Sequence, residues 1–207
     1  MLDAKLRPWI DPALGLAGRW LSERGIQADQ VTVAGFAVGM AAATAIATGA
    51  FTLGLALIAL NRIADGLDGA VARVRAPTDR GGFLDLALDF IFYAAIPLAF
   101  AIADPVRNAL PAAFLLAAFL ANGAAFLAFA IVASKRGLAT SAQGLKSIYY
   151  VAGLAEGSET IAIFVAFCLW PAAFPWLAVA FAGLCAVSAA ARVIAGWQVF
   201  WEPEPPT

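Results

Sequence analysis

The sequence predicts an all-α integral membrane protein: six transmembrane helices preceded by an N-terminal amphipathic helix that lies on the membrane surface. Three observations carry this expectation. Hydrophobic residues make up 63% of the 207 and charged residues only 13%, whereas a soluble domain carries about 25% charged residues. Apolar segments recur six times, each able to supply the roughly 20 residues that cross a bilayer. The alternating pattern of a β-barrel is absent, so backbone polar groups in lipid have to be satisfied inside helices. The mean hydropathy of +0.85 agrees.

The first thirty residues lack the compact apolar core of a cleavable signal peptide. Instead Leu6, Trp9, Ile10, Leu14, Leu16, Ala17, Trp20 and Leu21 form an apolar stripe beside Lys5, Arg7, Arg19 and Arg24. That pattern suits an interfacial helix; a soluble cap helix is the plainer alternative. The spans follow at about 31–48, 51–74, 81–103, 108–133, 145–170 and 172–200. The expected organisation is an interfacial helix and linker over 1–30, a six-helix membrane domain over 31–200, and a tail over 201–207. The tail is rich in proline and glutamate and is expected to be disordered. Cys168 and Cys185 stand in apolar runs without metal-like spacing and are expected to pack.

Charge sets the orientation. Lys5, Arg7, Arg19 and Arg24 precede the first span; Arg73, Arg75 and Arg80 lie between spans two and three; Lys135, Arg136 and Lys146 lie between spans four and five. The opposite side has only Arg107. The positive-inside rule then puts both termini, and the turn between spans two and three, on the cytoplasmic side, and the richness in alanine with a compact six-span form fits a bacterial inner membrane.

That turn carries the chemistry. Asp65 and Asp68 stand three residues apart, and Asp85 and Asp89 four apart, so each pair shares a helix face. A helix pair folded back at the turn brings all four carboxylates together near the cytoplasmic interface. Four carboxylates in apolar surroundings repel one another unless cations neutralise them. Oxygen ligands suit Mg²⁺ or Mn²⁺, and a chain with no histidine makes a zinc site of the usual kind a poor fit. Two divalent cations held there form a clamp for a pyrophosphate. Gly66 and Gly69 would let a ligand approach the backbone, Ala72 continues the small-residue face, and Arg73 is a multi-donor cation suited to phosphate. The plainer alternative is a set of interhelical hydrogen bonds with small-residue packing.

The run Asp65-x-x-Asp68-Gly69-x-x-Ala72-Arg73, followed by Gly81-x-x-x-Asp85-x-x-x-Asp89, resembles the signature of the CDP-alcohol phosphotransferases. Seven residues separate Arg73 from Gly81, one fewer than is usual in that family. Six helices, an interfacial N-terminal helix and the Gln30-Val31-Thr32 entry to span one extend the resemblance over most of the chain. It implies transfer of a phosphatidyl group from CDP-diacylglycerol to a small alcohol, with release of CMP. It implies that Asp65, Asp68, Asp85 and Asp89 hold two divalent cations, that Asp89 is the catalytic base, and that Asp65, Asp68, Gly69, Ala72, Arg73 and Gly81 bind the CDP moiety. It also implies a homodimer. No nucleic acid partner is expected.

For the acceptor, Lys135, Arg136, Lys146 and Arg192 could line a basic pocket that favours glycerol 3-phosphate; plain membrane topology explains the same residues. Gly144-Leu145-Lys146-Ser147 only loosely resembles the Gly-Lys-x-Lys-Thr segment of phosphatidylglycerophosphate synthases, so inositol, inositol phosphate and serine stay open. Glu156 and Glu159 in span five are expensive in lipid; pairing with Arg192 is the favoured expectation, and contact with a hydroxyl-rich or cationic acceptor, or a place nearer the interface, are the alternatives. Two other classes use similar features. An intramembrane prenyltransferase binds pyrophosphate through aspartate-held Mg²⁺, but lacks this alanine, arginine and glycine pattern. A cation transporter would place its carboxylates near the bilayer midplane in related halves.

Overall fold

The structure, a computed structural model, describes residues 2–137 and 157–201. Among them the chain is all helical: α1 (Leu2–Glu23), α2 (Ala28–Ala47), α3 (Phe51–Arg75), α4 (Asp79–Ala103), α5 (Pro105–Lys135), α6 (Gly157–Leu169) and α7 (Phe174–Val199), with a 3₁₀ turn at Pro171–Ala173 before α7. Four stretches are long and apolar enough to cross a membrane: Ala28–Ala47, Asp79–Ala103, Pro105–Lys135 and Pro171–Val199. Two expected spans fall outside this set for different reasons. Helix α3 has the length, at 25 residues, but carries Arg62, Asp65, Asp68, Arg73 and Arg75. The described part of the fifth expected span is 13 residues long, and its first half, 145–156, lies outside the described residues, as do 202–207 of the expected tail. Large side chains such as Val106 and Trp176, 96% and 80% exposed, form the apolar exterior of a membrane protein rather than a water-facing surface.

Three helices share one design. On α2, Thr32, Gly35, Gly39, Ala42 and Ile46 recur at steps of three and four residues; so do Gly54, Ile58, Asn61, Asp65 and Asp68 on α3, and Asp85, Asp89, Phe92, Ile96 and Ala99 on α4. Each set therefore occupies one face. Helix α2 packs against both α3 and α4, so the three faces converge. The polar ends come together, and the apolar remainders form a core with Phe100, Phe164, Phe167 and Phe174, all fully buried. Phe92 joins the two regions: it lines the polar cleft and meets Phe164 edge-on at 6.1 Å.

Small residues set the approach of these helices. A Cβ on Gly35 would come to 2.8 Å from Ala64 Cβ, and one on Gly54 to 2.5 Å from Ile46 Cγ1, closer than atoms pack. The close contact lets buried Asn61 donate from Nδ2 to the Gly35 carbonyl at 2.8 Å. The turn between α3 and α4 is tied on two sides. Arg75 donates to the Ser22 carbonyl and Oγ at the end of α1, at 2.6 and 2.9 Å. Arg80 grips Asp29, in the first turn of α2, at 2.6 and 2.8 Å. Within the turn Ala76 has φ 73°, a conformation that favours glycine, and Thr78 caps α4 by accepting from the Gly81 amide at 3.1 Å.

Helix α1 packs on α3, with Leu14 against Gly66 and Gly18 against Ala70. This divides the expected apolar stripe: Leu14 faces α3, while Leu16 and Trp20 are 70% and 51% exposed. Helix α5 runs along α7 and touches α4, and α6 packs on α3.

Candidate active site

The end of α3 and the start of α4 bring Asp65, Asp85 and Asp89 together: one carboxylate oxygen of each lies within 4.8 Å of the others. Asp68 lines the same cleft, buried to 7% exposure, and Thr32 and Gly35 of α2 form the facing wall. The donor set consists of carboxylate oxygens converging from two helices. It fits a hard divalent cation and offers no thiolate or imidazole to a softer one. Asp68 is not among the three carboxylates that share the 4.8 Å distance, although it lines the same cleft.

Arg62 stands inside this cluster, and the sequence reading did not single it out. Its Nη2 donates to Asp89 Oδ1 at 3.1 Å, its Nη1 lies 3.7 Å from Asp65 Oδ2, and its Nε donates to Asn61 Oδ1 at 2.9 Å. Its guanidinium lies over the rings of Phe92 and Tyr93, 4.9 and 5.8 Å from their centroids. A detectable signal existed: an arginine inside an apolar run, one turn before the first aspartate.

The remaining motif residues are placed unevenly. Gly69 has open space on its Cα apart from the side chain of Arg73, 3.5 Å from where a Cβ would stand. Arg73 is exposed and has no hydrogen bond or ion pair among the described residues, and Ala72 beside it is half-buried. Gly81 sits where a Cβ would meet Thr78 Oγ1 at 3.1 Å and Asp29 Oδ1 at 3.2 Å. None of Gly69, Ala72, Arg73 and Gly81 lines the aspartate cleft itself; they lie on the helix ends that flank the turn. Gly66 departs from expectation. Its missing side chain makes room for Leu14 of α1, 2.8 Å from a would-be Cβ, so its bulk is absent for helix packing rather than ligand approach.

Of the candidate acceptor residues, the described ones, Lys135, Arg136 and Arg192, do not line the cleft. Arg192 of α7 donates to Asn122 Oδ1 of α5 at 2.7 Å and lies over Phe126. Arg136 donates to the Phe200 carbonyl at 3.2 Å, at the far ends of α5 and α7, and neighbouring Lys135 is exposed. Lys146 and Glu156 lie outside the described residues. Glu159 accepts from Ser158 Oγ at 3.0 Å, while Arg192 donates to Asn122, so the expected pair between Glu159 and Arg192 is not formed.

Comparison with known proteins gives this arrangement a context. The family model of CDP-alcohol phosphatidyltransferases matches residues 26–196. The chain is 47% identical over 197 residues to the inner membrane protein YnjF of Escherichia coli, covering 95% of this chain and 96% of that protein. It is 43% identical over 86 residues to the archaetidylinositol phosphate synthase of Methanothermobacter thermautotrophicus, covering 41% and 40% of the two chains. Its fold resembles that of the phosphatidylinositol phosphate synthase PgsA1 of Mycobacterium tuberculosis, solved with CDP-DAG bound. The TM-score is 0.65 at 23% identity, over 89% of this chain and 94% of that one. A second structure of that protein, in complex with manganese and citrate, matches equally well over 89% of each chain. The match over 26–196 and the full-length likeness to an inner membrane protein establish that the chain belongs to the CDP-alcohol phosphatidyltransferase family, membrane transferases of phospholipid biosynthesis.

Proposed function

We propose that the protein transfers a phosphatidyl group from a CDP-linked lipid, CDP-diacylglycerol or a close analogue, to a phosphorylated small alcohol, releasing CMP. The observation that carries this reading is the convergence of Asp65, Asp85 and Asp89 within 4.8 Å at a cleft shared by α2, α3 and α4. In this reading Asp65, Asp68, Asp85 and Asp89 hold two divalent cations, Mg²⁺ or Mn²⁺, which neutralise charge on the pyrophosphate when bound. Arg73, exposed and without a partner among the described residues, meets the CMP phosphate, with Gly69, Ala72 and Gly81 leaving room for the nucleotide. The acceptor oxygen attacks the lipid-side phosphorus as the bond from that phosphorus to the CMP oxygen breaks. The acceptor proton passes to Asp89. With Oδ1 of Asp89 engaged by Arg62, Oδ2 is the oxygen that takes it. Holding donor and acceptor in line supplies much of the rate.

For the acceptor we place inositol phosphate ahead of glycerol 3-phosphate, because a partial relative is named an archaetidylinositol phosphate synthase and the Lys146 segment fits the glycerol phosphate pattern poorly. Arg192 is the first candidate for the acceptor phosphate, with Lys135, Arg136 and Lys146 behind it. We further infer six spans, with α3 and α6 completing the set, and an interfacial α1. Both termini and the cleft face the cytoplasm of an inner membrane, in a homodimer; the arginines and lysines flanking the turns support this orientation.

The test is purified protein with radiolabelled CDP-diacylglycerol, Mg²⁺ and a panel of inositol phosphate, glycerol 3-phosphate, inositol and serine, with lipid products identified by mass. A product from a phosphorylated alcohol is expected. Transfer only to serine or unphosphorylated inositol overturns the acceptor assignment and leaves the donor chemistry standing.

A further inference from the structure

Arg62 follows Asn61 in a helix that is otherwise largely apolar up to the motif, and a guanidinium in such a place is expensive unless fully engaged. It is engaged: its side chain is 19% exposed, and each of its three nitrogens has a facing acceptor or carboxylate. The Nε bond to Asn61 Oδ1 is itself anchored, because Asn61 is 4% exposed and donates to the Gly35 carbonyl at 2.8 Å. With Phe92 and Tyr93 beneath the plane, the guanidinium is held by α2, α3 and α4 together. Its free edge points a fixed positive charge at Asp89, 3.1 Å away, and at Asp65, 3.7 Å away.

On the reading that these carboxylates hold divalent cations, we propose that Arg62 is a positioning residue and a built-in counter-ion of the aspartate cluster. It fixes the carboxylate of Asp89 by one oxygen and weakens the affinity of the cluster for divalent cations. Two physical arguments carry this. A rigid planar fork orients a carboxylate in a way that a point charge on a flexible stem does not. A permanent positive charge at hydrogen-bond distance from one ligand, and near a second, opposes the arrival of a further cation at the same oxygens. The cluster then needs less metal charge to stay assembled, and Asp89 keeps its orientation between turnovers.

The experiment uses the full chain in detergent and the variants Arg62→Gln and Arg62→Lys. It reads Mn²⁺ binding by electron paramagnetic resonance and turnover of CDP-diacylglycerol at saturating Mn²⁺. Arg62→Gln is expected to tighten the Mn²⁺ Kd by at least about tenfold, or about 1.4 kcal/mol, while lowering turnover at least about tenfold. Arg62→Lys restores the charge without the fork, so its Kd should return to within about threefold of the unsubstituted protein while turnover stays low. A purely structural arginine would lower stability in both variants without tightening Mn²⁺ binding. An unchanged or weaker Kd in Arg62→Gln, or full turnover in Arg62→Lys, overturns the proposal. If Arg62→Gln does not fold, the Kd and turnover of Arg62→Lys decide alone. Failure of the unsubstituted protein to bind Mn²⁺ at all is a different result and overturns the cation-clamp reading itself.

Discussion

Asp85→Asn should make the metal-free protein more stable and the metal-loaded protein less stable. The sign follows from the company Asp85 keeps. One of its oxygens lies within 4.8 Å of oxygens of Asp65 and Asp89, yet the nearby cation, Arg62, pairs with those two and not with Asp85. Two unit charges 4.8 Å apart repel by about 0.9 kcal/mol at the dielectric of water. Two such pairs give about 1.7 kcal/mol, and physiological salt reduces this to about 1 kcal/mol. Amidation at position 85 removes that repulsion and the cost of a half-buried charge, which together outweigh the lost attraction to Arg62, the smallest of these effects on Asp85. In EDTA the variant should therefore melt about 2–4 °C higher, the usual shift for 1 kcal/mol in a chain of this size. With Mg²⁺ at about a hundred times its Kd, the unsubstituted protein gains about 2.7 kcal/mol by mass action. The variant, lacking one anionic ligand, gains far less, so the order reverses. Thermal unfolding in detergent of both proteins, with EDTA and with Mg²⁺, reads the four values. The same order of stability under both conditions would refute the reasoning.

Other outcomes follow from named contacts. Asp89→Asn should keep much of the CDP-lipid affinity, read by equilibrium binding, and lose turnover by about 10² to 10⁴, the contribution of a positioned base. Gly35→Ala should cost about 1–3 kcal/mol in thermal unfolding, because its Cβ would stand 2.8 Å from the immovable Ala64 Cβ. Gly66→Ala should cost less, since it meets only the flexible end of Leu14. Arg192→Gln should raise the acceptor KM tenfold to a hundredfold with unchanged CDP-lipid affinity, the effect of losing a charge-assisted hydrogen bond of about 1.5–3 kcal/mol.

The four aspartates were legible because helical spacing alone puts each pair on one face, and a single turn between two helices can bring those faces together. Long apolar runs foretold four of the stretches long and apolar enough to cross a membrane, Ala28–Ala47, Asp79–Ala103, Pro105–Lys135 and Pro171–Val199, to within a few residues at their ends. What stayed hidden depends on contacts between helices rather than on spacing along one. Nothing in the chain order announces that Asn61 bonds the Gly35 carbonyl, or that Arg80 reaches Asp29 across fifty residues. Gly66 looked like room for a ligand because Leu14, which fills that room, is far away in sequence. Arg62 is the instructive omission. It stands inside an apolar run, one turn before Asp65, where membrane topology does not require a cation. For the basic residues 136 and 192, spacing along the chain did not reveal their contacts between helices: Arg136 bonds the Phe200 carbonyl and Arg192 bonds Asn122, ties between the α5 and α7 regions of the chain.

The account stands most directly on one measurement: CMP released per lipid product formed, by purified protein given CDP-diacylglycerol, inositol phosphate and Mg²⁺. It predicts one CMP for each new phospholipid, no release in EDTA, and none from Asp65→Asn or Asp85→Asn with Mg²⁺ restored. CMP and product formed at full rate in exhaustively chelated protein, or by those two variants, would contradict it.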